Sequence, residues 1–338
     1  MDGSGAVLGV DVGGTGIKAR LTDADGQVLA EYRVPTPRDD TDAQRLAETV
    51  ADLAVGAVPL DADRTVSLDA DSTVSLDAVG VVVPGVVDER AGTSVLSVNL
   101  GWRDIPVRAR VLAALLARGV DVPLAFGHDV RAGALAEVRS GGLDEGSAVF
   151  LPIGTGLASA LVVDGTVVDG GGWAGEVGQV RLAHGPHAGA RVEEIASAGA
   201  VARRTGVESA HAAMLLVQQG DATAVRVWHE CVEVLADVIG WTTAVAGCHT
   251  VVVGGGLARS GPLLLDPLRA AVADRLVGLR VPAVVPARHG DAAGAIGAGL
   301  LARDLLERGT RIAEGAPRVA EGMPFVAEST PFVAEGTR

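Results

Sequence analysis

The chain has 338 residues, 48% hydrophobic but only 3% aromatic, and a formal net charge of −14. The length suits two domains, with cores built from Val, Leu, Ile and Ala. The acidic balance argues against nucleic acid and anionic membrane as partners, because phosphate groups are gripped by clustered cations, and Lys18 is the only lysine.

From the N-terminus, MDGSGAVLGVDVGG lacks the basic segment and long apolar run of a signal peptide. No stretch of membrane-spanning length is free of Gly and charge. Residues 6–12 (AVLGVDV) predict a buried strand, Gly13 and Gly14 a turn, 17–22 and 27–34 two further strands around the hairpin signal DADG, and about 41–57 a helix. Residues 60–78 repeat LDADRTVS as LDADSTVS. The repeat reads as an acidic insertion, because it lacks the Gly and closing Glu of a calcium loop.

A strand at 79–83, a turn at PGVVDERAG, the segment SVNLGW and a helix near 105–118 follow. Strand 122–126 then leads into HDVRAGALAEV, a turn and helix. Strands and hairpins are expected over 147–182, helices at about 192–204, 208–219 and 222–246, and a strand at 250–253 running into three glycines. A helix near 262–277, a strand near 281–285 and the Gly/Ala-rich helix GDAAGAIGAGLLARDLL come next. From residue 312 a seven-residue repeat carries Pro317, Pro324 and Pro331, which exclude a coiled coil and predict a disordered tail. Cys231 and Cys248 have no metal or disulfide spacing and read as buried thiols in a reducing, cytoplasmic compartment.

Three glycine sites carry chemistry. Asp11-Val-Gly13-Gly14-Thr15 lies in the first hairpin turn, where backbone N–H groups can approach phosphate and a carboxylate can hold Mg²⁺ through water. The same residues also suit an ordinary Gly-rich hairpin. A strand, not a helix, follows, which excludes a dinucleotide fingerprint, and the chain has no Walker motif. Gly154-Thr155-Gly156 is a second strand–turn–strand site, so two such turns could clamp a polyphosphate from both sides. Gly254-Gly255-Gly256 joins strand to helix and suits a nucleotide lying against the backbone.

These stretches resemble the ROK family of sugar kinases, within the actin-like, hexokinase-type ATPase fold. The motifs occur in family order over about residues 6–308: GVDVGGTGIKA, VPGVVDERAG, VNLGW, HDVRAGALAE, PIGTG, WAGEVGQV, EEIAS, VVVGGG and GDAAGAIGAG. The resemblance implies an α/β, two-lobed, ribonuclease H-like fold of mixed sheets flanked by helices. The small lobe would span 1–127, with a helix at about 292–311 packing back on it. The large lobe, for nucleotide and oligomerisation, would span 128–291, followed by the tail 312–338. ATP with Mg²⁺ would bind at Asp11, Gly13, Gly14, Thr15, Lys18 and the two later glycine sites, and a sugar or cyclitol deep in the cleft.

By position, Asp129 matches the family's catalytic base, which would orient a hydroxyl and take its proton; it also opens a helix, as an N-cap does. Asn99, His128, Glu176, Gln179 and Glu193 match sugar contacts, with Glu194 an adjacent candidate. Each has a plainer reading: a turn Asn, a solvated hairpin Glu, a helix N-terminal charge. His128 stands where the family has Asn. The family's zinc module, one His and three Cys, is replaced here by Gln179, His184, Pro186 and Arg191, so no zinc site of that kind is expected; His184 and His187 form a weaker zinc signal. The resemblance implies a glucokinase-like enzyme, with a cyclitol or amino sugar as variant acceptor and a homodimer or homotetramer as the assembly. It also leaves open a catalytically inactive sugar-binding protein. A repressor is disfavoured, since the phosphate motif begins within the first dozen residues and leaves no room for a DNA-binding domain before it.

Overall fold

The computed structural model describes residues 5–56, 63–66 and 75–313. The chain opens with β1 (Ala6–Val12), β2 (Gly16–Thr22) and β3 (Val28–Pro35), an antiparallel meander. The β2–β3 turn forms because the Asp23 carboxylate accepts from the backbone N–H groups of Asp25 and Gln27, while Gly26 takes φ 81°. α1 (Gln44–Ala54) buries Leu46, Ala47, Val50 and Ala51. β4 (Asp63–Val66) pairs with β3, and β5 (Leu76–Val83) returns parallel to β1.

A small sheet of β6 (Val86–Asp88), β7 (Thr93–Ser97) and β8 (Trp102–Ile105) comes next, then α2 (Val107–Ala117), β9 (Leu124–His128) parallel to β5, and α3 (Asp129–Gly141). The second half begins with β10 (Ser147–Pro152), β11 (Ala160–Val163) and β12 (Thr166–Val167). It continues through α4 (Val192–Ala196), α5 (Ala198–Thr205), α6 (Ala210–Gln218) and α7 (Ala222–Ala246). β13 (Thr250–Gly254), α8 (Gly255–Ala258), α9 (Pro262–Arg275), β14 (Ala283–Pro286) and α10 (Ala293–Ala313) complete it.

The first sheet has the order β4-β3-β2-β1-β5-β9 and the second β12-β11-β10-β13-β14. Both follow one plan: an antiparallel meander whose inner strand, β1 or β10, pairs on its other side with parallel strands. Each sheet has its own core. Leu8, Val10, Leu46, Val79, Val81 and Leu115 fill the first; Leu151, Val251, Trp228, Leu235, Leu264 and Leu268 fill the second. Cys231 and Cys248 are buried free thiols in the second.

α10 lies between the first sheet and α3, and small residues set how close it comes. A Cβ on Gly9 would stand 2.1 Å from the Ala295 carbonyl oxygen, one on Gly80 1.9 Å from that of Ala298, and one on Gly297 1.9 Å from that of Ala132. The Gly/Ala run that the sequence shows at 290–299 is therefore a packing face.

Two expected elements differ. Beyond β12 the chain leaves extended structure and runs through 3-10 turns at Gly170–Gly172 and Val177–Gln179, because Gly170, Gly171, Gly172 and Gly175 all take positive φ, which a strand cannot use. The helix expected at 192–204 breaks at Ser197, whose hydroxyl accepts from the Ala200 N–H and starts α5 afresh. Most of the 60–78 repeat and the tail from 314 lie outside the described residues. Among the described residues no helix is long and apolar enough to cross a membrane.

Gly80→Ala should cost about 1–3 kcal/mol through overpacking against α10, read as a fall in the urea midpoint. Gly299→Ala, on the same helix with nothing within 4 Å of the added carbon, should be neutral or stabilising.

Candidate active site

Asp11 sits near the carboxyl end of β1, and Asp129 follows the carboxyl end of β9, with β5 between these parallel strands. The sheet thus brings both carboxylates to one edge, where ligands of open α/β sheets bind. Gly294, in the first turn of α10, closes on Asp11: a Cβ there would lie 2.6 Å from the carboxylate. Burial raises the Asp11 pKa to about 6, opposed by Lys18 and reinforced by Asp291.

Asp129 is the first residue of α3, not its cap. The cap is His128, whose Nδ1 accepts from the Arg131 N–H at 3.3 Å. Asp129 Oδ1 accepts from the Val130 N–H at 2.7 Å. The helix terminus favours its negative charge, yet burial and the neighbouring Asp11 raise its pKa to about 8; the Val130 N–H and Arg131 work against them and Glu176 adds to them. Its side chain still keeps 27% of its surface exposed, so the group lies deep but reachable.

His128 was expected among the sugar contacts. Its side chain is only 4% exposed. Burial and Arg131 push the ring pKa down to about 3. With Nδ1 accepting, the neutral ring carries its proton on Nε2, which stands 3.4 Å from Asp129 Oδ1. The His128 ring thus lies directly beside the Asp129 carboxylate.

The glycine turns are built as the sequence suggests. Gly13 N donates to Gly16 O, and the Thr36 hydroxyl donates to Gly13 O, leaving Gly14 and Thr15 exposed at the tip. Asn99 is exposed beside Gly14, where an added Cβ would lie 3.2 Å from the Asn99 Cβ. Lys18 donates to the Asp291 carbonyl at 3.1 Å. At the corresponding tip of the second sheet, Gly154 N donates to Gly156 O, and Thr155 is exposed. Gly254 accepts from the Ile153 N–H. Gly255 has φ 77°, and a Cβ there would meet the Ile153 backbone at 2.5 Å, so only glycine fits. Gly256 is exposed next to it. The second and third glycine sites are therefore one continuous surface of backbone.

Glu176 is half-buried beside a 3-10 turn, not in a solvated hairpin. Its pKa is raised by burial, opposed by Arg131 and reinforced by Glu193. Glu193, in the first turn of α4, faces the Gly154–Gly156 turn: a Cβ on Gly156 would lie 3.2 Å from its Oε2. Its Oε1 pairs with Arg191 Nη1 at 2.9 Å. Gln179 is exposed and its Oε1 accepts from Arg191 Nη1 at 2.8 Å. Glu194 turns away to Arg191 as half of a capping box.

A zinc site does not fit here. At the four positions of the family's module stand an amide, an exposed imidazole, a proline without a donor, and a guanidinium already bonded to the amide. His187 is engaged by Glu230 at 3.1 Å with the Arg204 cation beside it, which opposes a second cation.

Three residues of the site escaped the sequence reading. Arg131 is buried and ties Glu89, Val87 O and Gly172 O together under the α3 terminus. Glu89 also accepts from the His128 N–H. Asp291 receives Arg33 from β3 at 3.4 Å and Arg259 from beyond α8 at 2.5 Å, an ion pair spanning elements of both sheets. The charged residues within the otherwise apolar and Gly-rich motifs VDERAG, HDVRAG and GDAAGA were the available signal.

Asp11, Asp129, Glu176 and Glu193 form an acidic surface rich in acceptors, which suits hydroxyl groups, while the glycine turns offer backbone N–H groups to an anion.

Residues 7–305 match the model of the ROK family. A glucokinase of Streptomyces coelicolor is 27% identical over 333 residues, 89% of this chain and 98% of that protein. An N-acetylmannosamine kinase of Escherichia fergusonii is 31% identical over 308 residues, 88% of this chain and 98% of that protein. The structure of a ROK family glucokinase from Streptomyces griseus in complex with glucose and AMPPNP aligns with a TM-score of 0.71 and 26% identity, over 89% of this chain and 100% of that one.

Because folding raises the Asp129 pKa, the unfolded chain releases this proton near pH 3.8 and the folded chain near 8. This carboxyl therefore lowers stability progressively as pH rises through that window. Asp129→Asn should be more stable than the parent at pH 8, with the gap closing towards pH 4, measured by urea unfolding at a series of pH values.

Proposed function

The chain belongs to the ROK family, and we propose that it is an ATP-dependent kinase that transfers the γ-phosphoryl group to a hydroxyl of a sugar or sugar-like polyol. The observation that carries this reading is the placement of Asp129. It is a carboxylate of raised pKa at the head of a helix, reachable from solvent, with Asp11 and Glu176 near enough to add to that rise.

In this reading the acceptor hydroxyl lies against Asp129, which orients it and takes its proton as the sugar oxygen bonds to the γ-phosphorus. The bond from that phosphorus to the β–γ bridging oxygen breaks and ADP leaves. The Gly13–Thr15 and Gly154–Gly156 turns hold the phosphates by backbone N–H groups, and Gly254–Gly256 carries the rest of the nucleotide. Lys18, opposite Asp11 in the β1–β2 ladder, supplies a positive charge beside it. Asp11, with Gly294 leaving room at its carboxylate, is the residue that would hold magnesium through water; bound there, the ion neutralises phosphoryl oxygens.

Asn99, His128, Glu176, Gln179 and Glu193 are read as the acceptor contacts. The likeness to glucokinases and to an N-acetylmannosamine kinase supports a hexose or amino sugar. The loss of the usual Asn at 128 and of the usual His at 179 supports a changed hydroxyl pattern, and keeps cyclitols in the set of acceptors.

An ADP-release assay over glucose, mannose, N-acetylmannosamine, N-acetylglucosamine and inositols tests the reading. At least one acceptor should turn over. Asp129→Asn should lose about 10²–10⁴-fold in kcat while the same sugar still raises its Tm. kcat/KM for that sugar should rise with pH through about 8, as the free protein's carboxyl gives up its proton. Sugars that stabilise the wild type but are never phosphorylated would instead make it a binding protein.

A further inference from the structure

Where the zinc module does not fit, another device occupies the place. We propose that Arg191 is the positioning residue of the acceptor wall, and that it fixes the hydrogen-bonding polarity that Gln179 and Glu193 present to a pair of neighbouring hydroxyls. This deepens the reading of Gln179 and Glu193 as acceptor contacts and rests on it.

The segment between these residues folds back on itself. Arg181 and Arg191 form an antiparallel bridge, Leu182 N donates to Ala190 O at 2.9 Å, Gly189 N to Leu182 O at 2.8 Å, and Val192 N to Val180 O at 2.9 Å. The backbone closes the loop, but nothing in it fixes the side chains that flank its base. Arg191 does so. Its Nη1 reaches Gln179 Oε1 at 2.8 Å and Glu193 Oε1 at 2.9 Å, and its Nε and Nη2 reach Glu194 Oε1 at 3.2 and 3.0 Å. One planar cation thus joins the 3-10 turn before the loop to the first turn of the helix after it. A guanidinium can spread donors over separate acceptors in this way; an ammonium on a flexible stem cannot hold all three in register.

The polarity follows from the donor count. Arginine only donates, so the Gln179 amide must turn its oxygen to Arg191, which leaves its NH₂ as the free end. Glu193 spends Oε1 on Arg191 and keeps Oε2, on the side of Gly156, as an acceptor. The wall therefore shows one donor and one acceptor, the complement of a vicinal diol in which one hydroxyl gives its proton and the other receives one. No metal takes part: the position is filled by a permanent cation.

The test compares wild type, Arg191→Ala and Arg191→Lys. For a phosphorylated diol acceptor, Arg191→Ala should raise the sugar KM about 10–100-fold, the cost of losing a charged hydrogen-bond set. kcat and the KM for ATP should change little, and Arg191→Lys should restore only part of the affinity. The affinity gap should shrink for an acceptor with one of the two hydroxyls removed. Treating the wild type with 1,10-phenanthroline should change neither Tm nor sugar KM, and the purified chain should carry no stoichiometric zinc. One zinc per chain, a chelator-induced loss of affinity, or an unchanged sugar KM in Arg191→Ala would each overturn the proposal. If the wild type phosphorylates no acceptor, the kinase reading fails by itself. The clasp is then read from hydrogen exchange at the Leu182 and Val192 amides, which should quicken in Arg191→Ala and recover in part in Arg191→Lys; unchanged rates overturn it.

Discussion

Two carboxylates that repel one another are held at one edge of a sheet, and much of the first half of the chain is arranged to keep them there. Asp11 and Asp129 each have a raised pKa, chiefly from burial and partly from nearby acidic groups. Such crowding costs stability, as functional sites commonly do. It persists because neither residue is free to move away. Asp11 is fixed by the β1 ladder, with α10 pressed against it at Gly294; Asp129 is fixed at the start of α3 by the His128 cap and by Arg131 beneath it.

The plan of the first sheet recurs in the second, and with it the Gly-rich hairpin at the tip of the inner strand. A single flexible turn is poor evidence of a phosphate site. Two turns at equivalent positions of two sheets, the second continuous with Gly254–Gly256, are a stronger signal than either alone. In the proposed reading the acidic surface and the glycine surface divide the work: acceptors for hydroxyl groups, backbone donors for the anion.

What could be read from the sequence was mainly local. Valine-rich strands such as 79–83 and 250–253, the hairpin at 23–26 and the long helix at 222–246 are set by neighbours in the chain, and they stand close to where the residues place them. The three glycine sites could be singled out because each lies at a strand end, Asp11 because it stands next to the first of them, and Asp129 only through its place in the family's order of motifs. The segment 168–191 could not be read, since its course depends on glycines in the left-handed region that composition alone does not assign. The environment of His128 was hidden for a related reason: one ring nitrogen caps α3 and the other approaches Asp129, an arrangement no motif announces. Arg131 with Glu89, 42 residues apart, and Asp291 with Arg33, 258 apart, are pairings that no local pattern announces.

The contact of Lys18 with the Asp291 carbonyl has a practical side. This is the chain's sole lysine, so its side-chain amine is chemically unique and sits where β2 meets the segment leading into α10. An amine-selective reagent has only this nitrogen and the α-amino group to attack. Acylation there attaches a reporter at a known place without cysteine engineering, and the extent of labelling gauges how readily Lys18 leaves the Asp291 carbonyl.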